Sequence, residues 1–210
     1  MAIAVGRLNK SCAGLADKVL ARWAAQQAIG VLLDTTATGS INFAVAGISV
    51  TAHGLAEVGR AIRDGKIAVT LHRDANMSYD PKTNVMNFDS PNLTTTKDRG
   101  GLIHEATHAV FDLAGFRKLL KMESEQASYI AQCIYLRKND IRFQDGKKVK
   151  SDGSVGGIIS SAAFPLADKI IAGGTLDAAD LKKLRTGIIK SDFYEGITEK
   201  KYKWVTFDGI

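Results

Sequence analysis

The sequence predicts an α+β fold that is mainly helical, with a small sheet whose edge strand packs on one central helix and with accessory helices around it. Three observations predict it. Apolar residues recur at helical spacing in six stretches, two strand-like runs flank a turn-rich segment between residues 67 and 88, and those runs directly precede the best-bounded helix of the chain. At 210 residues there is room for one domain with a substantial core. It divides into an N-terminal helical and β region (1–66), a central core (67–138) and a C-terminal accessory region (139–210).

Residues 11–30 read as a helix packing through Leu15, Val19, Leu20, Trp23 and Ala24 and stopped by Gly30. Residues 41–51 are rich in β-branched side chains around Ala46-Gly47, as in a hairpin. A short helix over 55–63 ends at Asp64-Gly65. Next come a strand over 67–72, a turn-rich stretch over 74–83 and a second strand over 84–88. In that second strand Val85, Asn87 and Asp89 alternate with Met86 and Phe88, which suits the edge of a sheet.

The helix over 96–114 has both ends marked, by a capping box of Thr95 and Asp98 and by Gly115 as a left-handed C-cap. Leu102, Ile103, Ala106, Ala109, Val110 and Leu113 form its apolar stripe. A long helix over 117–138 packs through Leu120, Ala127, Ile130, Ala131 and Ile134. Beyond it lie a polar, glycine-rich turn over 144–157, a helix over 158–172 with a break or bend at Pro165, and a last helix capped by Thr175 and running to 189.

An apolar fraction of 45% against 24% charged residues is that of an ordinary globular protein, which argues against disorder. No apolar run is suited to a membrane, since 156–174 is interrupted by Pro165, Asp168 and Lys169. The apolar start, residues 1–5, is too short for a secretory signal. The chain therefore reads as made in the cytoplasm, remaining there or exported by a route without a cleavable signal. Cys12 and Cys133 sit in apolar helical patterns and read as small buried hydrophobes. A net charge of +6 comes with basic clusters at Lys147, Lys148 and Lys150 and at Lys182, Lys183 and Arg185. No aromatic residues interleave with them, so nucleic-acid binding is not expected.

Chemistry concentrates at His104-Glu105-Ala106-Thr107-His108. Two imidazoles four apart on a helix point the same way and can hold one metal ion, here Zn²⁺, while the intervening glutamate takes a proton from a water that the metal acidifies. Only four histidines occur in the chain, and two of them stand at this spacing. All three residues fall outside the apolar stripe, with Asp112 beside them as a residue to orient an imidazole or bind the metal.

A zinc site that does chemistry has three protein ligands and an open position. The following helix offers Glu125 and Glu123. Glu125 is favoured because it aligns with Tyr129, Gln132 and Leu136 away from the apolar centre, with small Ser128 nearby. Glu123 falls among Ala127, Ile130 and Ile134, where a carboxylate needs a metal or cation, and it stands as the alternative.

Strand, edge strand, a His104-Glu105-x-x-His108 helix and a helix carrying Glu125 together resemble the zincin metallopeptidases, in the branch whose third ligand is a glutamate on a following helix. The resemblance covers residues 67–138. It implies one Zn²⁺ per chain on His104, His108 and Glu125, with Glu105 as general base and proton donor to the leaving amine. One turn after the ligand glutamate, where several such families carry aspartate or asparagine, this chain has Tyr129. The implied activity is hydrolysis of a peptide or protein substrate. The alternative is a catalytically inactive domain of the same type that binds a peptide or protein partner. Tyr79, Tyr129, Tyr135, His72 and Tyr194 are the side chains suited by type to donate to a developing oxyanion.

Overall fold

Seven helices and three small sheets succeed one another in the computed structural model, which describes residues 2–45, 47–72, 76–116, 119–140, 155–191, 204–205 and 209. The first helix, α1 (Ala2–Leu33), enters the core through Ala24, Ala28 and Leu32, all fully buried. Of the residues expected to pack, Ala24 does so, whereas Leu15, Val19 and Trp23 are 66%, 59% and 52% exposed. On the facing helix, a Cβ added at Gly59 would sit 3.1 Å from the Leu32 Cβ, so a residue without a side chain there lets the two helices approach closely.

A one-turn helix, α2 (Thr35–Thr38), is capped by the Asp34 carboxylate. The hairpin of β1 (Asn42–Val45) and β2 (Ile48–Thr51) forms as read from the sequence, with Gly47 at φ +78° in its turn. Phe43, Val45, Ile48 and Val50 face the core. Thr51 then caps α3 (Ala52–Arg63), accepting the Gly54 N–H at 3.0 Å.

The central sheet holds β3 (Ala68–Leu71), β4 (Ser78–Asp80) and β5 (Val85–Phe88) in the order β3-β5-β4. The strand expected at the edge, β5, is therefore central, parallel to β3 and antiparallel to β4. Its polar face misled because its partners are cross-strand. Thr70 Oγ1 on β3 donates to Asn87 Oδ1, and Asn87 Nδ2 donates to Ser78 Oγ on β4 at 3.4 Å. The outer strand beside the next helix is β4, three residues within the stretch read as turn.

That next helix, α4 (Thr96–Leu113), has the capping box expected: Thr95 Oγ1 accepts the Asp98 N–H and Asp98 Oδ2 accepts the Thr95 N–H, both at 3.1 Å. It ends in a Schellman motif. Gly115 at φ +69° donates to the Asp112 carbonyl at 2.9 Å, Phe116 donates to the Phe111 carbonyl at 3.2 Å, and the two phenyl rings meet with centroids 6.4 Å apart. After β6 (Leu119–Leu120), which pairs with β7 (Trp204–Val205), α5 (Lys121–Asn139) runs back along α4. Gly100 faces Leu136 and Gln132, while His108 faces Ser124, so the two helices are antiparallel.

Two further helices complete the described chain. In α6 (Val155–Ile171) the helix continues through Pro165 without a break, and it starts three residues before the stretch expected. Arg137 of α5 is nearly buried, donating to both Asp168 oxygens at 2.8 and 2.9 Å and lying 4.4 Å from the Phe164 ring centre. The cap of α7 (Ala178–Ile189) is Asp177, not Thr175. Its carboxylate accepts the Ala179 and Asp180 N–H groups. Most of the expected 144–157 turn, the first basic cluster, the Cys12 side chain and Tyr194 lie outside what is described. No described helix is long and apolar enough to cross a membrane.

Candidate metal centre

Antiparallel packing of α4 on α5 brings three donors together. One ligand atom each from His104, His108 and Glu125 lies within 4.8 Å of the others, in a cluster that could hold a metal ion. His104 Nε2 is 3.4 Å and His108 Nε2 4.0 Å from Glu125 Oε2. Two ligands about 2.05 Å from a tetrahedral ion are separated by about 3.4 Å, so the first pair has the spacing such a site requires. The second pair needs only a small closure. Two imidazole nitrogens and one carboxylate oxygen suit zinc and its first-row neighbours by donor type.

Burial makes this grouping costly unless something compensates it. His104 and Glu125 are each 8% exposed, because α5 packs on the face of α4 that lies outside its apolar stripe. Burial alone pulls the His104 pKa down, but the Glu125 hydrogen bond, the Glu105 and Glu125 charges and Gln132 outweigh it, so the net shift is upward. His108 goes the other way. Burial lowers its pKa to about 4, with Glu125 opposing the shift. The two imidazoles meet edge to face at 5.1 Å, and Tyr129 stacks edge-on against His104 at 4.5 Å.

Glu105 stands apart from the three donors. Its Oε2 accepts the Tyr79 backbone N–H of β4 at 2.9 Å, fixing the carboxylate between the outer strand and the helix. Burial raises its pKa to about 7, against the opposing charge of His104 and aided by that of Glu125.

Glu125, not Glu123, is thus the carboxylate that the fold brings to the imidazoles. Glu123 instead accepts the Leu120 N–H at 3.3 Å, at the start of its own helix. Asp112 does not touch either imidazole through a hydrogen bond given by the structure. It is fully buried, accepting the Tyr79 hydroxyl at 2.6 Å on one oxygen and the Gly209 N–H at 3.1 Å on the other. The imidazole partner that the sequence reading missed is Ser124, whose Oγ lies 2.7 Å from His108 Nδ1 and leaves Nε2 to face the cluster. Its only signal was adjacency to Glu125.

Of the five candidate oxyanion donors, Tyr129 alone has its side chain against the cluster among the described residues. Tyr79 engages the site through its backbone, with its hydroxyl given to Asp112. His72 is exposed beyond β3, and Tyr135 is buried beside a separate cavity lined also by Arg99 and Asn139.

No family model matches the chain, and no curated protein or solved structure matches it. The chemistry of the site is therefore read from its own geometry.

Proposed function

We propose that the chain is a zinc-dependent metallopeptidase of the zincin type. The observation that carries this reading is the division of labour at one helix: His104 and His108 converge with Glu125, while Glu105 is held off that cluster by the backbone of the neighbouring outer strand. Zinc on the three donors would supply Lewis acidity, acidifying a water and polarising the carbonyl to be attacked. Glu105, with one oxygen anchored by Tyr79, would take the proton from that water and pass it to the leaving amine. Ser124 would keep the His108 ring turned so that Nε2 faces the cluster. Tyr129 would serve as donor to the developing oxyanion. The substrate is an extended peptide, and the strand positioned to receive it is β4, whose Tyr79 touches the base.

Digestion of a mixed peptide library, followed by mass spectrometry, tests the proposal. The zinc-loaded protein should cleave, and Glu105→Gln should retain zinc yet cleave about 10²- to 10⁴-fold more slowly. Equal cleavage by Glu105→Gln would refute the assigned role, and no cleavage by the loaded protein would leave a metal-binding domain without this activity.

A further inference from the structure

Glu105 and Asp112 are seven residues apart on α4, close to two full turns, so both fall on one line along the helix, within about 20° of rotation and separated by a rise of about 10.5 Å. Tyr79 spans that interval. It donates its backbone N–H to Glu105 Oε2 at 2.9 Å and its hydroxyl to Asp112 Oδ2 at 2.6 Å, so one residue of β4 is fastened to α4 at both ends. The hydroxyl also lies 3.2 Å from Asn84 Oδ1, but its single proton goes to the nearer oxygen.

The strand needs such a fastening. β4 is an outer strand of three residues, paired on one side only, with Tyr79 opposite Met86. A group that takes a proton must be held to within about 0.5 Å of its productive position by neighbours that are themselves fixed, and so short a ladder does not supply this alone. Asp112 is fixed in turn. It is fully buried, and its second oxygen accepts the Gly209 N–H at 3.1 Å. Burying a carboxyl group is unfavourable unless donors satisfy it. Here one donor on each oxygen does so, and one of the two belongs to the residue that holds Glu105.

From this we infer that Asp112 is a positioning residue for Glu105 and acts through Tyr79. The Gly209 N–H fixes the Asp112 carboxylate, Asp112 fixes the Tyr79 side chain, and the Tyr79 N–H is thereby kept aimed at Oε2 of Glu105. Its consequence for catalysis rests on the proposed metallopeptidase activity, whereas the hold of Asp112 on Tyr79 does not.

Amide hydrogen exchange and peptide cleavage, measured on the zinc-loaded full chain and on Tyr79→Phe and Asp112→Ala, test the inference. The two variants break one hydrogen bond from opposite sides, and Tyr79→Phe keeps both the ring and the backbone N–H. In each, the amide at position 79 should exchange at least about tenfold faster while the amides of β3 and β5 keep their parental rates. Zinc content should be unchanged, and kcat should fall about 10- to 100-fold with KM held within about twofold. Adding Tyr79→Phe to Glu105→Gln should slow cleavage no further, because the hydroxyl acts through the base. Unchanged exchange at position 79 overturns the inference whether or not the protein cleaves peptides. Faster exchange with an unaltered kcat overturns it too, as does an equal loss in the Glu105→Gln background, which is what a merely structural role gives. Faster exchange in a parent that cleaves nothing upholds the hold of Asp112 on Tyr79 and overturns the metallopeptidase reading instead.

Discussion

At the scale of single residues, His108 and Glu105 have opposite dependences on pH in the metal-free protein. Burial holds His108 near 4, so its contribution to stability is full above the ordinary imidazole value of 6.5 and is lost as pH falls towards 4. Glu105 is raised to about 7, so its contribution is full below the ordinary 4.5 and is lost as pH rises to 7. The two offset each other between. Replacing Glu105 by Gln removes one arm, and in chelator the variant should gain about 2 kcal/mol more than the parent from pH 4.5 to 6.5. Urea unfolding across that range measures it, and parallel pH profiles would contradict the assigned burial of Glu105. Ser124 gives a second expectation. Ser124→Ala frees the His108 ring to turn and should weaken zinc binding about 10- to 100-fold, read by competition with a chromophoric chelator. Unchanged affinity would show that the ring is oriented by something else, Ser128 at 3.4 Å being the neighbour to examine.

Elements hold these residues in place, and here the distance between α4 and α5 is decisive. Gly100 sets it at one end: a Cβ there would come within 3.1 Å of Leu136 Cδ2 and 3.3 Å of its Cγ. Gly100→Val should therefore cost about 1–3 kcal/mol and weaken zinc binding together, because separating the helices pulls Glu125 from the histidines. A melt and a zinc titration of the same variant check it, and a stable variant with full zinc affinity would contradict the coupling. How much of this was legible in the sequence follows from its physical origin. Thr95, Asp98 and Gly115 bound α4 by local chemistry, and local chemistry is what a sequence displays. The order of strands is not local. Asn87 has the polarity of an edge residue, and only the positions of Thr70 and Ser78 reveal that its amide is satisfied inside the sheet. Ser78–Asp80 was too short for its alternation to be seen among turn residues.

Across the whole molecule, the candidate site depends on contacts between parts distant in sequence. Tyr79 reaches Glu105, Glu125 reaches His104, and Gly209 near the end of the chain reaches Asp112 at the foot of α4. His104, Glu105 and His108 were legible because a helix repeats every 3.6 residues. Glu125 followed from its alignment on the next helix, but Glu123 remained open until the packing of α5 was known. The ridge of α1 was misread for a related reason, since spacing identifies an apolar face and leaves unstated what covers it.

The central claim is that His104, His108 and Glu125 hold one zinc ion. Elemental analysis of the purified protein, beside His108→Ala, Glu123→Ala and Glu125→Ala, tests it most directly. The account expects about one zinc per chain, retained in Glu123→Ala and lost in His108→Ala and Glu125→Ala. A parent that takes up no zinc after reconstitution, or a Glu125→Ala variant that keeps it, would contradict the account.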